Sequence, residues 1–106
     1  ANPNIKAIFA VRGGYGGIRI VDKLNYDTIK KNPKIISGFS DNTTLLLAIN
    51  EKTGLVTFQG PMADNLKNIP PVTENAFNKA FMSNESYHLQ TTSIKALSHI
   101  CRVLTM

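Results

Sequence analysis

Three short apolar runs, separated by segments of helical character, constrain the fold of this chain more than any other feature. The runs are residues 5–11, 34–39 and 55–58, and glycine or polar turn residues follow each of them within two positions. Short apolar runs of this kind are typical of strands that are buried on both faces of a parallel sheet. The segments between them are long enough for crossover helices. The alternation therefore predicts an α/β fold in which three adjacent parallel strands are flanked by helices.

The strongest helix prediction is residues 42–52, which are rich in leucine, alanine and isoleucine. Ser40 and Asp41 are both natural N-cap residues for this helix, and Gly54 is a natural residue just past its end. A weaker helix is expected after the first strand, with Asp27 capping a further turn. Thr73 is expected to cap another helix, which ends at Met82.

The length of 106 residues allows at most one domain. The chain begins with alanine and enters a strand pattern within a few residues. We therefore expect a piece cut at both ends, in which residues 1–92 form part of an α/β domain. Residues 87–92 resemble a further strand, and residues 93–106 are an ambiguous tail with helical spacing. No C-terminal domain is expected within this chain.

Composition narrows the class of protein further. The chain is 42% hydrophobic and 18% charged, which is typical of a globular domain. No stretch approaches the ~20 apolar residues of a membrane helix, so no membrane partner is expected. The sole cysteine, Cys101, excludes an internal disulfide framework and a multi-cysteine zinc site. It is also compatible with a reducing compartment, and we expect a cytoplasmic protein.

The basic balance of the chain does not predict a nucleic-acid partner. Twelve Lys and Arg residues against seven Asp and Glu give a formal charge of +5. Only Lys30, Lys31 and Lys34 lie close together, and the other lysines are scattered along the chain. A nucleic-acid site needs its cations on one face or stripe. The excess charge therefore indicates a solvated surface.

A glycine-rich segment, residues 12–17, follows the first strand directly and is called the glycine loop here. Four of its six residues are glycine. Glycines allow positive φ and close backbone approach, so the N–H groups of such a loop can bind a phosphate, a carboxylate or an oxyanion. The spacing matches neither a dinucleotide fingerprint nor a P-loop. A tight turn without a ligand explains the same residues, and spacing alone does not separate the two interpretations.

Ser40 lies between the second strand and the apolar helix, which is where a nucleophile elbow occurs. We expect residues 13–16 of the glycine loop to lie beside it, because the carboxyl ends of parallel strands bring their following loops together. The sharp turn of an elbow exposes the hydroxyl, and the helix N-terminus stabilises negative charge beside it. The G-x-S-x-G pattern is incomplete, because Asn42 replaces the last glycine. Ordinary helix capping by Ser40 is the alternative. A serine nucleophile also needs a base, and neither His88 nor His99 has a context that marks it as one.

Taken together and in order, the motifs of this chain resemble those of the LD-carboxypeptidase family. These serine peptidases include muramoyltetrapeptide carboxypeptidases and microcin C immunity proteins. The resemblance covers residues 4–84. Its motifs are IKAI at 5–8, RGGYG at 12–16, NPK at 32–34, GFSD at 38–41 and GLVTFQGPM at 54–62.

The resemblance implies a fold and a set of site residues. The chain would be the second half of the family's N-terminal α/β domain, and Ser40 would be the catalytic nucleophile. The oxyanion hole and substrate-binding site would come from Asp41 and from the glycine loop, in which Gly14 is the first choice beside Gly13, Tyr15 and Gly16. The family's Glu and His partners belong to a later C-terminal domain, and no residue of this chain matches them.

The implied function is hydrolysis of an amide between an L- and a D-centre near a free carboxylate. The substrate would be a murein tetrapeptide or a microcin-type peptide–nucleotide. Without its Glu and His partners this chain would be inactive in isolation. The resemblance implies a homodimer for the intact parent, and neither a cofactor nor a metal. The alternative is a small α/β module without catalytic activity, in which the glycine loop binds an anion and Ser40 only caps a helix.

Overall fold

The computed structural model describes residues 2–83, which contain a three-stranded parallel sheet. The three strands lie side by side in the order in which they occur in the sequence, and both neighbouring pairs are parallel. Ala7 is opposite Ile35 in one pair, and Ser37 is opposite Phe58 in the other. The strands are β1 (Ala7–Phe9), β2 (Ile35–Gly38) and β3 (Phe58–Gln59). The predicted α/β fold with adjacent parallel strands is confirmed.

The third strand begins later than the apolar run that predicted it. Gly54, with a φ of 74°, ends the preceding helix in the left-handed conformation. The Asn50 amide then donates to the Leu55 carbonyl at 2.9 Å, and the Thr57 hydroxyl donates to the Leu46 carbonyl at 3.1 Å. These side-chain bonds hold residues 55–57 along the helix, so pairing with β2 begins only at Phe58.

The helices follow the predicted positions, but the N-cap of α2 (Tyr26–Lys31) differs from the predicted Asp27. Asn25 caps α2, because its side-chain oxygen accepts the Thr28 N–H at 2.9 Å. Asp27 lies inside the first turn, so its predicted capping role is wrong. The elements are α1 (Gly17–Ile20), a 3₁₀ turn (Val21–Lys23), α2 (Tyr26–Lys31), α3 (Asn42–Thr53), a 3₁₀ helix (Ala63–Asn68) and α4 (Pro71–Met82).

Two compact units divide the chain, Ala1–Pro70 and Pro71–Met106. The sheet, the glycine loop and Ser40 all belong to the first unit. Helix α4 belongs to the second and begins at Pro71, two residues before the predicted cap Thr73. Proline suits the first turn of a helix, where its missing N–H is not needed. Both histidines, the strand predicted at 87–92 and the tail at 93–106 lie outside the described residues.

The buried core of the first unit forms where α3 meets the sheet. Leu46 and Ile49 of α3 and Met62, in the segment after β3, are its buried apolar side chains. Leu47, the next residue of α3 after Leu46, is on the solvent side of the helix and is 65% exposed. Within residues 2–83, no helix has the length and apolar character needed to cross a membrane.

We expect Leu46→Ala to lower the free energy of unfolding by about 2–5 kcal/mol, because it removes a side chain that is only 4% exposed. Leu47→Ala is the matched control one position along the same helix and should change stability by less than about 0.5 kcal/mol. Urea unfolding measures both variants. Equal losses for the two variants would contradict the packing of α3 described above.

Candidate active site

Ser40 occupies a strained turn between the end of β2 and the start of α3. Its φ is 60°, and it is the only non-glycine residue among residues 2–83 with a positive φ. This conformation costs an L-residue roughly 1–3 kcal/mol and is concentrated at functional sites. Ser40 is also exposed to solvent. A strained strand-to-helix turn that exposes a serine hydroxyl is the geometry of a nucleophile elbow.

Helix α3 begins without a side-chain cap. Asp41 is at its N-cap position, but no side-chain hydrogen bond caps the helix. Its first turn is closed by backbone bonds instead: the Asn42 N–H donates to the Phe39 carbonyl at 3.3 Å, and the Thr43 N–H donates to the Ser40 carbonyl at 2.9 Å. Asp41 is thus the N-cap residue, as predicted, but neither its side chain nor that of Ser40 makes a capping hydrogen bond in this turn. Ordinary capping does not explain why serine occupies position 40.

The glycine loop lies directly against Ser40. A Cβ added at Gly13 would be 3.1 Å from the Ser40 Oγ and 3.2 Å from its Cβ. Gly14 has open space around it, and the Tyr15 side chain is fully exposed. Gly16 has a φ of 118°, which favours glycine, and it leads into α1. The sequence predicted this proximity, because the carboxyl ends of parallel strands bring their following loops to one edge of the sheet.

The Asp41 carboxylate binds the far end of the glycine loop. Its Oδ2 accepts the Gly17 N–H at 3.0 Å. Gly17 is buried, and a Cβ there would be 2.8 Å from the Asp41 carbonyl oxygen. The oxyanion hole predicted from the sequence included only the backbone N–H of Asp41, and it did not include Gly17. The four glycines at positions 13, 14, 16 and 17 were the available signal, because glycine allows another backbone to approach closely.

Two backbone donors near Ser40 remain available to a ligand. Within residues 2–83, neither the Gly14 N–H nor the Asp41 N–H donates to a protein acceptor. The resemblance to the LD-carboxypeptidase family implies these same two groups for the oxyanion hole. Backbone donors that are already fixed in place stabilise a developing negative charge without reorganising during the reaction. In this part of the chain, no group of three or more His, Cys, Asp or Glu residues could hold a metal ion.

The segment after β3 crosses to the end of β1. The Ala63 N–H donates to the Ala10 carbonyl at 2.9 Å, and the Asp64 N–H donates to the Val11 carbonyl at 3.1 Å. The Gly60 N–H also donates to the Gly38 carbonyl at 3.2 Å. The three segments that follow the strands are thus hydrogen-bonded at one edge of the sheet, around Ser40.

Comparison with known proteins identifies the family. The family model described as the LD-carboxypeptidase N-terminal domain, of peptidase family S66, matches residues 1–60. The chain belongs to the LD-carboxypeptidase family.

Relatives of known sequence support this assignment. The chain is 37% identical over 92 residues to the "Probable murein peptide carboxypeptidase" of Bacillus subtilis, an alignment that covers 84% of this chain and 29% of that protein. It is 40% identical over 89 residues to the microcin C7 self-immunity protein MccF of Escherichia coli, which covers 80% and 26% respectively. The chain therefore spans less than a third of the length of these relatives.

Solved structures show the same fold. MccF in complex with glutamyl sulfamoyl guanosine matches with a TM-score of 0.72 and 37% identity, over 81% of this chain and 27% of that one. An MccF-like protein from Bacillus anthracis matches with a TM-score of 0.73 and 39% identity, over 77% and 26%. The parallel α/β arrangement around Ser40 is thus the fold of this LD-carboxypeptidase domain.

We expect Gly17→Ala to destabilise this LD-carboxypeptidase domain by about 1–3 kcal/mol, because the new methyl group meets a backbone oxygen that cannot rotate away. Gly14→Ala is the matched control in the same loop. Its Cβ enters open space, so its stability should be unchanged or higher by up to about 1 kcal/mol, through the lower entropy of the unfolded chain. Thermal unfolding of both variants measures the difference. A stable Gly17→Ala variant would contradict the close approach of Gly17 and Asp41.

Proposed function

We propose that this chain is the nucleophile-bearing part of a serine-type LD-carboxypeptidase and that Ser40 is its nucleophile. The observation that carries the proposal is the turn at Ser40, which is strained, exposed and in contact with the glycine loop. Strain of this kind persists only where the surrounding structure holds it in place. Family membership supplies the reaction class, because the matched model is that of a peptidase domain.

In the proposed mechanism, the Ser40 Oγ attacks the carbonyl carbon of the substrate amide and its proton passes to a base. The resulting oxyanion accepts hydrogen bonds from the Gly14 and Asp41 N–H groups, which have no protein acceptor within residues 2–83. Collapse of the intermediate expels the amine, which takes up the proton. Water then attacks the acyl-enzyme, releases the carboxylic acid and restores the Ser40 hydroxyl.

The base and its carboxylate partner are proposed to be a His and a Glu in a later part of the full gene product. No histidine occurs within residues 2–83. The relatives are more than three times as long as the segment they share with this chain, which leaves room for a further domain. We place the intact protein in the cytoplasm as a homodimer, and the support for both is its resemblance to the family.

The proposed substrate class is an amide close to an acidic group. Two similar proteins support it: one relative is described as a murein peptide carboxypeptidase, and MccF was solved with glutamyl sulfamoyl guanosine. A murein tetrapeptide has a free terminal carboxylate, and a glutamyl nucleotide has a carboxylate on its amino acid. Assays with a murein tetrapeptide and with an aminoacyl sulfamoyl nucleotide distinguish the two branches.

Ser40→Ala in the full gene product should lower turnover of the preferred substrate by about 10⁴–10⁶-fold, since it removes the attacking oxygen. Folding should be nearly unchanged, because alanine fits the same exposed position. The measurement is release of the C-terminal D-amino acid or of the sulfamoyl nucleoside, together with thermal unfolding.

The matched control is Ser37→Ala, which removes a hydroxyl from β2 three residues earlier. Ser37 is 2% exposed, and its Oγ has no hydrogen-bond partner within residues 2–83. This variant should keep its activity. If Ser40→Ala keeps its rate as well, Ser40 is not the nucleophile and this proposal fails. If the full gene product hydrolyses neither substrate, the anion-binding module becomes the better interpretation.

The 106-residue chain expressed alone should hydrolyse neither substrate at more than about 10⁻⁴ of the rate of the full gene product, because the nucleophile lacks its base. The same two assays test this, with circular dichroism confirming that the short chain is folded. A folded short chain with a comparable rate would place the base within these 106 residues and would overturn this part of the proposal.

A further inference from the structure

We propose that Asn42 is a positioning residue that fixes the glycine loop and the segment after β3 relative to Ser40. The inference rests on the proposed role of Ser40 as the nucleophile. The observations that support it are the hydrogen bonds of the Asn42 side-chain amide.

The Asn42 amide nitrogen contacts an acceptor in each of the three segments that follow the strands. It donates to the Arg12 carbonyl at 3.1 Å, to the Phe39 carbonyl at 3.3 Å and to the Met62 sulfur at 3.5 Å. The amide has two hydrogens, so the three acceptors share them, and the sulfur is the weakest of the three. A single side chain thus connects the start of the glycine loop, the Ser40 turn and the segment after β3.

Asn42 and Asp41 hold opposite ends of the glycine loop. The Asn42 amide binds the carbonyl of Arg12, the first residue of the loop. The Asp41 carboxylate binds the N–H of Gly17, the last residue. Both side chains come directly after Ser40 in the sequence, and Gly13 contacts Ser40 between the two attachment points. The position of the loop donors relative to the Ser40 Oγ is therefore set by two neighbouring residues of one turn.

The third acceptor is itself held in place. Met62 is 6% exposed, and its N–H donates to the Asn65 side-chain oxygen at 3.1 Å. The next residue, Ala63, is bonded to the Ala10 carbonyl at the end of β1. Asn42 therefore contacts groups that are anchored on both sides of the Ser40 turn. A side chain that only extended the helix would not need these contacts.

Loss of the Asn42 contacts is expected to destabilise the transition state more than it weakens substrate binding. An oxyanion forms only after attack, so donors displaced from its position slow the chemical step and leave ground-state binding nearly unchanged. A misplacement of about 1 Å costs on the order of 10²-fold in rate. Loss of the Asn42 contacts should therefore lower kcat and change KM little.

The experiment compares two substitutions at Asn42 with the same two at Asn50, all in the full gene product. Asn42→Asp keeps the shape but cannot donate, and Asn42→Leu removes the donor without adding a charge. Asn50 is the matched control, because it lies in the same helix and its amide also donates to a backbone carbonyl, that of Leu55, at 2.9 Å. Steady-state kinetics and hydrogen exchange of the Gly17 amide in the glycine loop are measured for all four variants.

We expect both Asn42 variants to lose about 10–100-fold in kcat, with KM changed by less than about threefold. Exchange of the Gly17 amide, which donates to the Asp41 carboxylate, should accelerate by at least about tenfold, since the loop opens more often. Both Asn50 variants should retain kcat and the exchange rate of the loop. An Asn42→Leu variant with kcat within twofold of the parent, or Asn50 variants with the same loss, would overturn the inference.

The activity assays and hydrogen exchange together distinguish a failure of the proposed function from a failure of the inference about Asn42. If Ser40→Ala retains activity, or if the parent hydrolyses neither substrate, the assignment of the nucleophile fails. Hydrogen exchange then decides separately whether Asn42 holds the loop. Unchanged exchange in Asn42→Leu would overturn the positioning role as well, whereas faster exchange would leave Asn42 as an anchor of the loop.

Discussion

The left-handed conformation of Ser40 is the constraint on which the candidate site depends. A positive φ at this residue turns the chain sharply from β2 into α3 and leaves the hydroxyl exposed. The turn is stable because other segments pack against it. Gly13 approaches the side chain closely enough that a Cβ there would be in tight contact with it. The strain at one residue is thus offset by the contacts of a neighbouring loop, which in turn is held by the residues that follow Ser40.

These contacts explain why the glycines are needed at particular positions. Gly13 admits the Ser40 side chain, Gly16 takes a φ of 118°, and Gly17 admits the backbone of Asp41. Each of these three glycines is required for a different physical reason, and none of these reasons applies to Gly14. Within residues 2–83, the Gly14 N–H has no protein acceptor, and a Cβ at Gly14 would enter open space. The same loop therefore combines structural glycines with a position that can accommodate a ligand.

Much of the fold and part of the site could be predicted from the sequence. Apolar runs that end at turn residues predicted three parallel strands, and the shared edge of such strands predicted that the glycine loop lies beside Ser40. Patterns of residue type did not predict the late start of β3, which depends on the side-chain bonds of Asn50 and Thr57 to backbone carbonyls. They predicted Asp41 at the N-cap of α3, where it is found, but not that its carboxylate binds Gly17, 24 residues earlier in the chain. Hydrogen-bond partners that are far apart in the sequence produce no local pattern of residue types.

The site residues that the sequence analysis missed share one physical property. Asn42 and the Asp41 carboxylate act on backbone atoms, and a backbone carbonyl or N–H is present whatever residue supplies it. The identity of Arg12 therefore does not indicate its contact with Asn42. The proposed catalysis by fixed backbone donors has the same property, because the N–H groups of Gly14 and Asp41 belong to the main chain. In such a site, sequence identifies the candidate nucleophile and the glycines, while the side chains that hold the loop in place become apparent only once the loops are placed around the turn.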